Sequence, residues 1–225
     1  YILCFLLIAT IGVSHGAYDG KKGEILFNDK FKNSKFIFYF IYTVLVFLVF
    51  IFWYLNPLIS LIIFLLISSL HFGKEDLEIY LDKKYRHLPL LFFLKGSLII
   101  LLPLFFNFEK TNLIFNTILF SNNYLLLSNN YVKFILAINL LMQVLFYLYI
   151  YFIKKLNRSD FFSIIFEIFL IIIIFYLFTP IVAFTLYFCF MHSVKNILLI
   201  SDELNSNLFR GFQIFVKRSL FLTLI

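Results

Sequence analysis

An all-α bundle of membrane-spanning helices is what this sequence predicts, on three observations. The chain of 225 residues is 63% hydrophobic with a mean hydropathy of +0.98, more apolar surface than a water-soluble fold of that length hides. Only 14% of its residues are charged, and they gather between apolar runs. Those runs approach the roughly 20 residues that a helix needs to cross a bilayer, and about seven or eight hydrophobic helices are expected. They are read as a single transmembrane domain over residues 1–225, all-α and polytopic.

The elements follow in order. Tyr1 to about Gly16 is the first span and Phe36–Leu55 the second. Asn56-Pro57 makes a tight break before the third, Leu58 to about Phe72. Leu88–Phe106 is the fourth, with Lys95 and Pro103 inside it. Thr111–Leu127 is weaker, interrupted by Asn116 and by Ser121-Asn122-Asn123. Val132–Ile153 and Phe161–Phe178 are strong, although the latter holds Glu167. Pro180–Ile200 comes next, and Phe212 opens a last run. Tyr1 stands where Met would begin a chain, and the last run stops at Ile225. The chain is therefore expected to be a fragment lacking at least part of its C-terminus. The opening run has no small-residue cleavage site and leads into further spans, so it does not read as a signal peptide.

The net charge of +7 is not a nucleic-acid signal, because the basic residues lie between spans, where they mark cytoplasmic loops. Lys21, Lys22, Lys30, Lys32 and Lys35 follow the first span; Lys74, Lys83, Lys84 and Arg86 follow the third; Lys154, Lys155 and Arg158 precede the span at Phe161. All three clusters share one side only if Thr111–Leu127 does not fully cross, so that segment is expected to be re-entrant or interfacial. Cys4 and Cys189 both sit inside apolar runs and give neither a disulfide framework nor a thiolate site.

That topology has a consequence for the histidines. His15 ends the first span and His71 the third, both on the cytoplasmic side. His192 lies on the descending span that starts at Pro180, about 18 Å down at the helical rise. Three of the four histidines thus reach the inner half of the membrane from separate spans. Ionisable groups inside spans are costly and usually line a functional interior. A single one is as readily a hydrogen-bonded core residue; three at matched depth point to a metal, for which neutral imidazole is the commonest side-chain ligand. Asp19 and Asp76 either accept the second ring N–H of a ligating histidine or are solvated residues at span ends. His87, beside Arg86, reads as solvated; Lys95 and Glu167, a conceivable pair that no spacing brings together, are left outside the site, and Lys95, although mid-span, could snorkel.

"SHGAYD", "HFGKED" and "YFCFMHSVKN" resemble the three signature regions of the Brp/Blh family, the bacterial and archaeal β-carotene 15,15′-dioxygenases, in order and spacing along nearly the whole chain. The resemblance implies an all-helical integral membrane enzyme of the cell's inner membrane. It would hold non-haem Fe(2+) through histidines and cleave β-carotene with dioxygen into two molecules of retinal, the chromophore of microbial rhodopsins. Carried over residue by residue, it makes His15, His71 and His192 the iron ligands. The family's third motif has a second histidine four positions on, and here Asn196 stands in its place, so either Asn196 or water completes the site, or activity is impaired. Ring residues near the ligands, Tyr18, Phe72, Tyr187, Phe188 and Phe190, are candidates for the wall of a tunnel opening sideways to the bilayer. A transporter or proton-relay protein using intramembrane histidines is the competing reading. A desaturase or hydroxylase, with its sets of histidine boxes, needs more histidines than the chain has.

Overall fold

The computed structural model describes residues 1–12, 34–81, 88–120, 128–153, 156–205 and 207–223, of which 34, 35 and 218–223 by backbone alone. His15, Tyr18, Asp19 and His87 lie outside the described residues. The elements are α1 (Ile2–Gly12), α2 (Ser34–Leu55), α3 (Pro57–Leu77), α4 (Pro89–Phe106), α5 (Phe108–Ile118), α6 (Asn129–Phe152), α7 (Arg158–Leu177), α8 (Pro180–Leu204) and α9 (Leu208–Thr223). There is no strand among the described residues. By length and composition α2, α3, α4, α6, α7 and α8 can each cross a membrane, and α1 is a shorter apolar helix. The fold is that of a polytopic membrane helix bundle.

Three boundaries carry information. Proline opens α3 at Pro57, α4 at Pro89 and α8 at Pro180, where its missing N–H costs nothing. The third span runs on to Leu77 rather than closing near Phe72, so "HFGKED" lies inside the helix. α5 has 11 residues, about 16 Å long and well short of a crossing. The Thr111 hydroxyl ties it back by donating to the carbonyls of Pro103 and Asn107 (both 2.9 Å). Phe120 then breaks the helical path with φ at +52°, in the left-handed region.

Two compact units divide the chain, one made of Ile63–Tyr187 with Tyr1 and the other of Ile2–Ile62 with Phe188–Ile225. In the first, α4 is the central helix. It is apolar on every side and most of it is buried, as expected of a helix without a polar face. α6 packs on it through one stripe, Val132, Leu136, Asn139, Gln143, Tyr147 and Ile150, at the three-and-four spacing of a helix face. Inside that stripe the Asn139 and Gln143 amides both donate to the Leu94 carbonyl (3.1 and 3.0 Å), and Asn139 also donates to the Ser97 hydroxyl (2.8 Å). Such bonds each contribute about 0.6 kcal/mol in membrane bundles.

α3 meets α4 at glycines. A side chain on Gly73 would strike the Phe92 carbonyl, and one on Gly96 the Ser69 carbonyl, so the two backbones touch as small residues allow. Lys95 does not snorkel. It is 1% exposed and its Nζ lies 3.7 Å from Glu167 Oε2 on α7. Tyr80, just past α3, donates its hydroxyl to the other oxygen of Glu167 (2.5 Å). Burial, reinforced by that carboxylate, pushes the Tyr80 phenol well above its usual value. In the second unit α8 and α9 cross at Gly211, which rests on the Ser201 carbonyl, and Ile197, Ile200 and Phe215 close a small core there.

Candidate metal centre

Two stretches of chain carry the candidate ligands, one in each unit. In the first unit they lie on the last two turns of α3. His71 and Glu75 are four residues apart and therefore neighbours on the helix surface, with His71 Nε2 3.7 Å from Glu75 Oε2. The next residue, Asp76, points into the protein, is 3% exposed and accepts the Tyr187 hydroxyl at 2.8 Å. Tyr187 is itself fully buried and stands edge-on to Phe72, with ring centroids 6.0 Å apart at 88°. Phe72 also meets Phe184 at 6.3 Å and 65°. The turn carrying His71 and Glu75 is thus held from behind by a buried hydrogen bond and an aromatic contact, and from the side by the Gly73–Gly96 crossing.

Glu75 was not expected as a site residue. The signal was present in the spacing of His71 and Glu75, but the span was read as ending near Phe72, which left Glu75 in a charged loop. With α3 continued to Leu77, it falls one turn after the histidine.

An apolar cavity of about 280 Å³ starts at Phe72. Its walls are one stripe of α3 (Phe64, Leu65, Ser68, Phe72), Ile99, Ile100 and Pro103 of α4, the inner face of α5, Phe175, and Pro180, Ile181 and Phe184 at the start of α8. Phe72 lines this cavity, and Tyr187 stands against its ring.

In the second unit His192 sits in a π-helical stretch, Tyr187–Ser193, inside α8. Such stretches insert one residue into a turn and occur frequently at functional sites. His192 is 1% exposed, and the Phe188 ring stacks on it at 5.8 Å and 17°. Gly12, at the end of α1, lies against the same Phe188 ring with no room for a side chain, and the Ser193 hydroxyl reaches the Gly12 carbonyl at 3.5 Å. Asn196 is buried in the helix that follows. Phe190 is half exposed. Imidazole and carboxylate are both metal-binding side-chain types, and His71 and Glu75 present one of each on the same turn of α3.

A family model described as beta-carotene 15,15′-dioxygenase matches residues 6–225. A curated protein, "Beta-carotene 15,15′-dioxygenase" from uncultured marine bacterium 66A03, is 30% identical over 200 residues, which cover 88% of this chain and 68% of that protein. No solved structure matches the chain. Nearly the full length of the sequence is thus accounted for by one family of membrane dioxygenases, and the chain belongs to the β-carotene 15,15′-dioxygenase family.

Proposed function

We propose that this protein splits β-carotene at its central double bond with dioxygen, releasing two molecules of retinal, and that it holds Fe(II) to do so. His71 and Glu75 present an imidazole and a carboxylate side by side on one turn of the first unit, and we assign them as ligands together with His192 and His15. In support, α1 delivers the chain to Phe188, beside His192, three residues before His15. Asn196, one turn past His192, offers an amide oxygen, a weaker ligand than imidazole. Glu75 would offset one of the two positive charges that neutral imidazoles leave uncompensated. When bound, the iron supplies the activation of dioxygen, which the protein's own side chains cannot perform.

The remaining work falls to the chain. Dioxygen adds across the central double bond, both carbon–carbon bonds of that alkene break, and each carbon leaves as an aldehyde carrying one oxygen atom. No proton is consumed, so no acid or base has to be assigned. Phe72 and Phe184 hold the polyene by their faces, and the apolar walls beyond them keep water away. Asp76 and Tyr187 keep the His71 turn in place. Substrate and product both partition into lipid, which suits a multi-pass protein of the cell's inner membrane. Its retinal would supply a microbial rhodopsin.

The observation that carries this reading is the family match over residues 6–225, joined to a His–Glu pair standing next to an apolar cavity. The test is expression in cells that make β-carotene. Loss of colour with retinal appearing supports the reading; unchanged carotenoid beside iron-loaded protein overturns it.

A further inference from the structure

The cavity beside Phe72 has two different ends. Among its lining residues Phe175, Thr111 and Ile99 are 1%, 3% and 5% exposed, whereas Phe64, Ile118 and Ile181 are 56%, 38% and 37% exposed. The cavity therefore opens sideways, at the depth of the spans, where lipid would be. Its polar inventory is small, because the Thr111 hydroxyl is already spent on the Pro103 and Asn107 carbonyls. The volume of about 280 Å³ is just below that of pockets enclosing drug-sized ligands, so a long carotenoid enters by one end only.

From these observations we infer that the cavity is a lateral berth for one arm of the carotenoid, with the ring at the lipid-facing mouth and the polyene running inward to Phe72. This rests on the reading given above and adds the route and the seat. The lengths agree. Phe64 to Phe72 is eight residues of helix, about 12 Å. Nine conjugated bonds join the central carbon of β-carotene to its ring, and at about 1.4 Å each they advance about 11 Å in the trans zigzag. With the ring between Phe64 and Ile181, the central double bond falls at the level of Phe72 and His71. Phe64, Ser68 and Phe72 recur every four residues and so share one face of α3. Ser68 is the small member that leaves width for the chain. α5, too short to cross, supplies the opposite wall through Ile114 and Phe115.

The test is retention of β-carotene by full-length, metal-stripped protein in lipid nanodiscs under nitrogen, read by absorbance after washing. Ser68→Phe fills the middle of the berth and Ile114→Phe narrows it from α5; each should lower retention about tenfold or more, the scale of a bulk mismatch in a hydrophobic pocket. The lipid-face control Phe47→Trp should retain carotene as the unaltered protein does. Carotene held equally by both filled variants, with melting temperatures unchanged, overturns the berth whatever the activity. So does failure of the unaltered protein to retain carotene. If the berth behaves as expected but iron and dioxygen then give no retinal, it is the proposed reaction that falls.

Discussion

Changing Tyr187 to Phe removes one hydroxyl and nothing else. That hydroxyl donates to Asp76 across 2.8 Å, and both residues are buried, at 0% and 3% exposure. A hydrogen bond to a charged group contributes about 1.5–3 kcal/mol in soluble proteins, whereas bonds inside membrane bundles average about 0.6 and reach about 1.7. An expected loss of about 1–2 kcal/mol follows, since buried Asp76 loses the Tyr187 donor. At about 2–4 °C per kcal/mol for a chain of this size, melting should fall by about 2–8 °C. The assay is thermal unfolding of the metal-free protein in detergent, with Asp76→Leu and the double variant alongside. Removing both partners should recover part of the loss, because the cost lies in a buried carboxylate one donor short rather than in the absent bond. The same variant should hold iron less tightly, since Asp76 follows Glu75 on the ligand turn. If Tyr187→Phe melts within a degree of the unaltered protein and binds iron equally well, the bond does not position the turn and this reasoning is refuted.

Further outcomes follow from the same structure. Lys95→Met removes the buried cation beside Glu167, which keeps the Tyr80 hydroxyl as a donor, and should destabilise by up to about 3 kcal/mol, the low end for a broken buried pair; adding Glu167→Gln should restore part of it, measured by the same melts. Gly73→Val or Gly96→Val drives a side chain into the facing backbone carbonyl and should cost at least about 1–3 kcal/mol, the range for overpacking, together with activity. Glu75→Gln should leave the metal-free melt nearly unchanged but weaken iron binding about 10–100-fold, a range seen when groups supporting a metal site are altered, as read by metal titration. Asn196→His should strengthen iron retention, because imidazole replaces an amide oxygen one turn from His192; a decrease would remove Asn196 from the site.

The spans were legible because length and hydropathy alone decide what a bilayer accepts. α5 was legible too. Asn116 and the Ser-Asn-Asn stretch weaken the run, and the charge clusters asked for a segment that does not cross. The pairing of Lys95 with Glu167 was not legible: the two are far apart in sequence, and no local period connects them. Glu75 was missed because a run of charges reads as a loop, although a helix whose buried side holds Asp76 against Tyr187 can continue through it. The π-helical stretch around His192 left no signal in apolar spacing, since the whole segment is hydrophobic. Asn139 and Gln143 sit at helix spacing on α6, but only α4 packed against them shows why a membrane helix keeps two amides. His71 and His192 stand out as candidates on chemical grounds, because lone imidazoles in apolar runs are expensive.

The account turns on one reaction carried out at one iron. Its most direct measurement supplies purified iron-loaded protein with β-carotene and heavy-isotope dioxygen, reduces the products at once to retinol to prevent exchange with water, and weighs them. Two retinol molecules per carotenoid consumed, both carrying the heavy oxygen, is the result predicted. Products in which half the oxygen comes from water, or a carotenoid left intact, would contradict it.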